Sequence, residues 1–182
     1  MAEALKYFLN NKYVSSKTDK FYEVYNPSTG ELQGKCPRCT TAEVKDAIES
    51  AHKAFGPWSA TPPIKRADIM FRVRDLLGQH LNELTEICAR DHGKNWAESQ
   101  GDILKAREGT EQASNVVNLM MGEALMDASK GYDTSLYREP LGVFVGISPF
   151  NFPAMIPMGW MAPMCIATGN TMVVKVAGAT PM

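Results

Sequence analysis

The sequence lacks an excess of charge of either sign. Its 182 residues hold 19 basic and 20 acidic side chains, for a net charge of −1. This balance argues against a nucleic-acid-binding surface and against a polybasic membrane anchor. Residues 1–16 contain neither a basic segment followed by an apolar run nor the arginines of a mitochondrial presequence, so we expect a cytoplasmic protein. A hydrophobic content of 45% is ordinary for a soluble globular protein.

Cysteine and histidine are too few and too scattered for a metal centre. Among the four cysteines, Cys36 and Cys39 form one CxxC pair, but a zinc site needs a second pair at ligand spacing, and the three histidines stand apart. We therefore expect no metal. In the absence of a signal peptide the cysteines are expected to be reduced thiols, and the pair is interpreted as two small residues beside a turn.

The first 125 residues are predicted to form short strands followed by amphipathic helices. The strands are expected at 7–9, 13–14 and 21–25, with a turn at 26–30. A capping box predicts a helix that starts at Thr40 and ends at Gly56-Pro57. Continuous apolar spacing predicts a second helix over 64–92 that stops at Gly93, and a third is expected over 98–121. The side chains on these helices do not converge as those of a functional site would. The helices are therefore interpreted as scaffold.

Charge is absent from a run of 35 residues between Glu139 and Lys175. A membrane span would be one explanation, but five prolines and a Gly169-Asn170 turn interrupt the run, and a spanning helix does not tolerate that spread. A buried β-α-β unit explains the run better. It would comprise a strand at 141–147 covered on both faces, a helix that opens at Pro153 or the next residue, and a strand at 171–176.

Neither a GxGxxG fingerprint nor a Walker loop is present. Ligands of such units nevertheless bind at the carboxyl ends of the strands, where residues 148–151 follow the first strand. The segment Gly146-Ile-Ser-Pro-Phe-Asn-Phe-Pro153, followed by Thr168-Gly-Asn-Thr171 and Lys175, resembles the aldehyde dehydrogenase superfamily. Asn26-Pro27-x-Thr29-Gly30 and His92-Gly93-Lys94 occur in the same order as in that family.

The resemblance is greatest to the methylmalonate-semialdehyde dehydrogenase branch, which makes an acyl-CoA. It implies an α/β fold: the N-terminal part of the aldehyde dehydrogenase fold, with helices packed on a Rossmann-like parallel sheet and a small β arm. Three regions are implied. Residues 1–125 would be the strands and helices of the cofactor-binding domain, 126–140 a bridging or oligomerisation segment, and 141–182 the start of the β-α-β unit.

The resemblance also implies roles for individual residues. Asn151 would be the catalytic oxyanion donor, although an asparagine just before Pro153 could instead cap the helix. Lys175 would bond the adenosine ribose of NAD or NADP, and Cys165 is interpreted as a core residue. The remaining cofactor-binding candidates are Ser148, Pro149, Phe150 and Gly178.

Four features depart from the family pattern. Gly178 stands where a ribose-binding glutamate is usual, which favours NADP. The spacing from Asn151 to Lys175 is one residue longer than expected, as if Gly159 were inserted, so a helical bulge is predicted. Lys105 replaces an arginine that holds the substrate carboxylate or coenzyme A, and Arg107 is a possible substitute. The family's catalytic cysteine and glutamate do not occur in these 182 residues.

The expected activity of the parent enzyme is therefore oxidation of a short acidic semialdehyde, with NAD or NADP and with coenzyme A as acyl acceptor. A small-molecule aldehyde and a homo-oligomer, dimer or tetramer, are the expected partners, with neither nucleic acid nor membrane. Two alternatives remain: a non-acylating relative of the succinate-semialdehyde or betaine-aldehyde type, and a truncated chain without catalytic activity.

Overall fold

The structure, a computed structural model, describes residues 3–182. Two β-hairpins come first, formed by β1 (Tyr7–Leu9) with β2 (Lys12–Val14), and by β3 (Phe21–Tyr25) with β4 (Leu32–Pro37). The β4 strand was not predicted, whereas the other strands and the Asn26 turn are confirmed. Together the hairpins form the small β arm.

Four helices follow: α1 (Thr41–Ser59), α2 (Pro63–Gln79), α3 (Leu81–His92) and α4 (Trp96–Ser114). The capping box predicted at Thr40 is confirmed, since its hydroxyl accepts from the Glu43 N–H while the Glu43 carboxylate accepts from the Thr40 N–H. The prediction that α1 ends at Gly56-Pro57 is wrong. The helix continues through Pro57, and its last turn is fixed by the Trp58 indole, which donates to the Ile166 carbonyl at 2.9 Å.

The single helix predicted over 64–92 is two helices that meet at His80. The apolar spacing continues across the break because both helices pack on α4, so periodicity could not reveal it. Gly93 ends α3 with φ of 85°, as predicted. The third predicted helix begins at Trp96 and breaks at Asn115, after which α5 covers only Val116–Leu119.

An exposed hairpin separates the helices from the C-terminal unit. Its strands are β5 (Glu123–Ser129) and β6 (Tyr132–Leu136), and every residue in them is exposed to solvent. Large apolar side chains are among these, including Leu125 at 62% and Met126 at 72% exposure.

The charge-free run forms the predicted strand–helix–strand unit. The strands β7 (Val143–Ile147) and β8 (Thr171–Lys175) are parallel, with Val143 opposite Thr171 and Ile147 opposite Lys175. Between them lie a π-helical segment, Ile156–Met161, and α6, Ala162–Ala167. No helix in residues 3–182 is both long and apolar enough to cross a membrane.

The prediction that β7 is covered on both faces is wrong for this chain. Val145 and Ile147, alternate residues on one face of the strand, are 55% and 69% exposed, so within residues 3–182 that face is left open toward the carboxyl end of the strand. The sheet packs against α1, where the Thr171 hydroxyl donates to the Ala51 carbonyl at 2.9 Å.

The core joins α2, α4 and α5 to α6. Its buried apolar side chains are Ala67, Met70, Ala113, Val116 and Ala167. Beside it lies Arg66, only 2% exposed, whose guanidinium donates to the Ala167 carbonyl at 2.7 Å and to the Thr61 carbonyl. Burial lowers the pKa of Arg66 from its ordinary value. A charged residue thus fixes the C-terminal unit to the helices.

Candidate active site

The carboxyl edge of the parallel strands brings the predicted cofactor residues together. Ser148 donates its backbone N–H to the Lys175 carbonyl at 3.0 Å, which places the two residues side by side just past β7 and at the end of β8. Ser148 is 6% exposed, and Lys175 is exposed. Within residues 3–182, Lys175 forms no ion pair, so its ammonium group faces solvent at the edge where ligands of parallel sheets bind.

Asn151 lies in the turn that follows β7. The helical segment downstream starts at Ile156 with Met155 as its cap, and no side chain caps it. Asn151 is therefore not the helix cap that one interpretation of the sequence allowed. Its side-chain amide is exposed and makes no hydrogen bond to any other group in residues 3–182. The amide is free to donate to a ligand.

Two charged residues hold this turn from the helical side. Lys94 lies in the loop between α3 and α4, and its Nζ is 2.9 Å from Oδ2 of Asp102 on α4. The same Nζ donates to the Asn151 carbonyl at 2.7 Å, and Oδ1 of Asp102 accepts from the Met155 N–H at 2.6 Å. The aromatic ring of Phe152 lies 4.1 Å from the Lys94 ammonium.

A groove of about 490 Å³ opens between α4 and this turn. Lys105 lies on its wall, where its Nζ pairs with Glu108 Oε2 at 2.6 Å, and both side chains are 61% exposed. Arg107 projects elsewhere: its guanidinium packs beside Gly78 at the end of α2. The structure thus places Lys105 next to the turn and Arg107 away from it. The residues that line the groove are His92, Lys94, Glu98, Gly101, Asp102, Lys105, Phe152 and Met155.

The C-terminal segment folds back over the same edge. The Thr180 hydroxyl donates to the Phe150 carbonyl at 3.4 Å, and the Phe150 ring stacks on His92 with centroids 6.5 Å apart. A Cβ atom built at Gly178 would lie 3.2 Å from the ring of Tyr22 in β3. The β arm therefore contacts the segment in which the sequence departs from the family pattern.

Comparison with known proteins identifies the family of this chain. Residues 13–182 match the aldehyde dehydrogenase family. The chain belongs to that family.

Among curated aldehyde dehydrogenases, malonate-semialdehyde dehydrogenase 2 of Oceanobacillus iheyensis is 42% identical over 178 residues, which cover 98% of this chain and 36% of that protein. The human mitochondrial acylating methylmalonate-semialdehyde/malonate-semialdehyde dehydrogenase is 40% identical over 97% of this chain and 33% of its own. A Sinorhizobium meliloti protein assigned as a methylmalonate-semialdehyde dehydrogenase and crystallised with NAD superposes with a TM-score of 0.95, at 36% identity, over 100% of this chain and 37% of that one. The chain thus spans about a third of the length of these relatives.

None of the four thiols in this aldehyde dehydrogenase chain is activated. Burial is the largest cause of the raised pKa in all four thiols, which are those of Cys36, Cys39, Cys88 and Cys165. For Cys88 the nearby carboxylate of Asp102 raises it further. A nucleophilic cysteine needs the opposite, a pKa lowered by a cation or a helix N-terminus. Within residues 3–182 no group of three acidic, histidine or cysteine side chains could hold a metal ion.

Sequence reasoning missed Lys94 and Asp102, because it treated the helices as scaffold. The His92-Gly93-Lys94 motif marked the loop but not the contact partner, which is eight residues away, nor the turn, which is 57 residues away. A signal was available in the helical spacing, since Asp102 falls on the same face of α4 as the buried Ser99 and Ala106.

Proposed function

We propose that this chain forms the oxyanion and ribose-binding part of an enzyme that oxidises a short acidic semialdehyde to an acyl-CoA. The observation that carries the proposal is the free amide of Asn151, in a turn held beyond the carboxyl end of β7 in a chain of the aldehyde dehydrogenase family. An amide N–H suits a developing oxyanion because it donates a hydrogen bond without titrating.

The residues at the sheet edge fit a nicotinamide dinucleotide. The Lys175 ammonium is exposed and available for ribose hydroxyls, while Ser148, Pro149 and Phe150 line the edge beside it. A bound NAD or NADP would accept the hydride that leaves the aldehyde. The structural relative crystallised with NAD supports this assignment, and Gly178 offers no carboxylate to repel a 2′-phosphate. NADP is therefore proposed alongside NAD.

Lys105 is the proposed contact for the substrate carboxylate. Its pairing with Glu108 is an exposed i,i+3 ion pair, and such pairs contribute only about 0–1 kcal/mol. A substrate carboxylate in the groove can therefore compete for the ammonium at little cost. Lysine provides the charge but not the bidentate geometry of arginine, so we expect weaker discrimination among acidic substrates. Arg107 is a weaker candidate because it packs beside Gly78.

Coenzyme A is the proposed acyl acceptor, since acylating semialdehyde dehydrogenases are among the relatives of this chain. The acyl group would first be carried by a cysteine. The raised pKa values of all four thiols argue that this nucleophile is not one of them. We therefore propose that residues 1–182 position and polarise the substrate but do not attack it.

The exposed β5–β6 hairpin is the proposed contact between subunits of a homo-oligomer. A two-stranded hairpin has little stability alone, and exposed apolar side chains such as Leu125, Met126 and Tyr132 are typical of surfaces that another protein covers. Sedimentation of the wild type and of a Leu125→Lys variant would test this. We expect the variant to sediment as an assembly of lower mass than the wild type, and an equal mass for both would contradict the proposal.

Turnover of defined aldehydes tests the proposed function. The protein expressed from its complete reading frame is assayed with malonate and methylmalonate semialdehydes, with and without coenzyme A, and products are identified by mass spectrometry. Succinate semialdehyde and betaine aldehyde serve as comparison substrates. Formation of an acyl-CoA from the malonate-type substrates supports the proposal. A free acid formed at the same rate without coenzyme A would identify a non-acylating enzyme instead.

A further inference from the structure

The Lys94–Asp102 ion pair is more deeply buried than the other ion pairs of residues 3–182. The Asp102 side chain has no exposed area and that of Lys94 is 13% exposed. Removing two charges from water is costly, and the mutual attraction offsets the cost only when further hydrogen bonds satisfy both groups. Apart from a weak bond that the Cys88 thiol donates to Asp102 Oδ2 at 3.9 Å, those further bonds go to one place, the turn from Asn151 to Met155.

The pair holds the turn at both of its ends. Lys94 Nζ donates to the carbonyl of Asn151 at 2.7 Å, and Asp102 Oδ1 accepts from the N–H of Met155 at 2.6 Å. Between these points the Phe152 ring lies over the Lys94 ammonium at 4.1 Å. A five-residue turn whose first carbonyl and last N–H are both fixed by one ion pair has little freedom left in its backbone.

The orientation of the Asn151 amide depends on this restraint. The amide has no hydrogen-bond partner of its own in residues 3–182, so the backbone position of Asn151, together with the rotamers open to its side chain, decides where the amide can reach. The bond from Lys94 fixes the Asn151 carbonyl, which is attached to the same Cα as the side chain. A shift of the backbone at Asn151 therefore moves the Cα–Cβ bond from which the amide extends and changes the positions that the amide can reach.

We propose that Lys94 and Asp102 are positioning residues that orient the Asn151 amide toward the reacting oxygen. The inference rests on the proposed function of Asn151 and extends it to two residues that line the groove beside the turn and act through Asn151. Displacement of a reacting group by about 1 Å can reduce a rate about a hundredfold. A role limited to stability would instead lower the melting temperature and leave the amide where it is.

Nuclear magnetic resonance of the ¹⁵N-labelled 182-residue chain separates these two roles. The Asn151 side-chain signals are identified by their loss in Asn151→Ala. In Lys94→Met we expect these signals to shift, because the charge-assisted bond that fixes the Asn151 carbonyl is lost. Val116→Ala is the matched control, because Val116 is a fully buried core residue outside the turn. It should lower the melting temperature without moving the Asn151 signals.

A second variant keeps the inference falsifiable if Lys94→Met does not fold. Asp102→Asn preserves shape and can still accept from the Met155 N–H, but it removes the charge that holds Lys94. We expect the same direction of shift at Asn151. Unchanged Asn151 side-chain signals in a folded Lys94→Met or Asp102→Asn chain would overturn the inference.

Kinetics of the protein expressed from its complete reading frame distinguish this inference from the proposed function. Lys94→Met should lower kcat for aldehyde oxidation about ten- to a hundredfold, with the KM for the cofactor within about twofold of wild type. If Asn151→Ala retained full activity, the proposed function would be wrong, whereas the spectroscopic result would stand. If Asn151→Ala were slow and Lys94→Met were fast, the positioning inference alone would be wrong.

Discussion

Gly109 and Gly159 bring the π-helical segment close to α4, and a single methyl group should disrupt this contact. A Cβ atom at position 109 would lie 2.4 Å from the Gly159 carbonyl oxygen and 2.7 Å from its carbonyl carbon. Both are backbone atoms, so no side chain can rotate away. Because ordinary contact begins near 3.4 Å, the two segments must separate by about 1 Å in Gly109→Ala.

The loss of stability in Gly109→Ala can be worked out by comparison with a second glycine in the same helix. A Cβ at Gly101 would meet no atom within 4 Å. Gly101→Ala and Gly109→Ala gain the same helical propensity, about 1 kcal/mol at most. The difference between them therefore isolates the cost of overpacking, about 1–3 kcal/mol.

Thermal and urea denaturation of the 182-residue chain measure this difference. For a chain of this size we expect Gly109→Ala to melt about 2–12 °C below Gly101→Ala, with Gly101→Ala at or above the wild type. Free energies of unfolding for the two variants that agree within about 0.5 kcal/mol would refute the reasoning, because the helices would then not be in backbone contact.

Three further predictions concern cofactor choice, pH and turnover. Gly178→Glu should tighten NAD binding about ten- to a hundredfold and weaken NADP binding, with Gly178→Ala as the control for crowding against the Tyr22 ring; an unchanged NADP-to-NAD ratio would contradict this. Backbone N–H groups, that of Lys17 first, lower the pKa of Glu43 to about 2. Stability from this group is present above its ordinary pKa and is lost as pH falls from there toward 2. Glu43→Gln should therefore flatten the fall in melting temperature between about pH 5 and 2, and equal slopes would rule the effect out. The 182-residue chain alone should not reduce NAD or NADP with any aldehyde, and turnover above a buffer blank would disprove it.

The edge of the sheet could be predicted from the sequence because its signals are local. A β-branched run without charge that is followed by Ser148-Pro149 indicates the end of one strand. Lys175 marks the end of the next strand. The extra residue near Gly159 predicted a bulge, and the π-helical segment Ile156–Met161 confirms it. A π-helical hydrogen bond spans one more residue than an α-helical one, so the extra residue is accommodated within this segment.

The contacts that hold the turn could not be predicted, because they join residues far apart in the sequence. Lys94, Asp102 and Arg66 are charged, and charged residues usually lie on the solvated surface of a protein. They are buried here because backbone carbonyls and N–H groups of the C-terminal unit complete their hydrogen bonds. The break at His80 could not be predicted either, because α2 and α3 both pack on α4 and the apolar spacing continues across it.

The rate loss on removal of the Asn151 amide tests the central claim most directly. In the protein expressed from its complete reading frame, Asn151→Ala should reduce kcat for semialdehyde oxidation about 10²–10³-fold, as loss of one oxyanion donor does, and leave the KM for the cofactor unchanged. A kcat within about threefold of wild type in a folded Asn151→Ala variant would contradict the account, since a stabilising donor that is lost must raise the barrier.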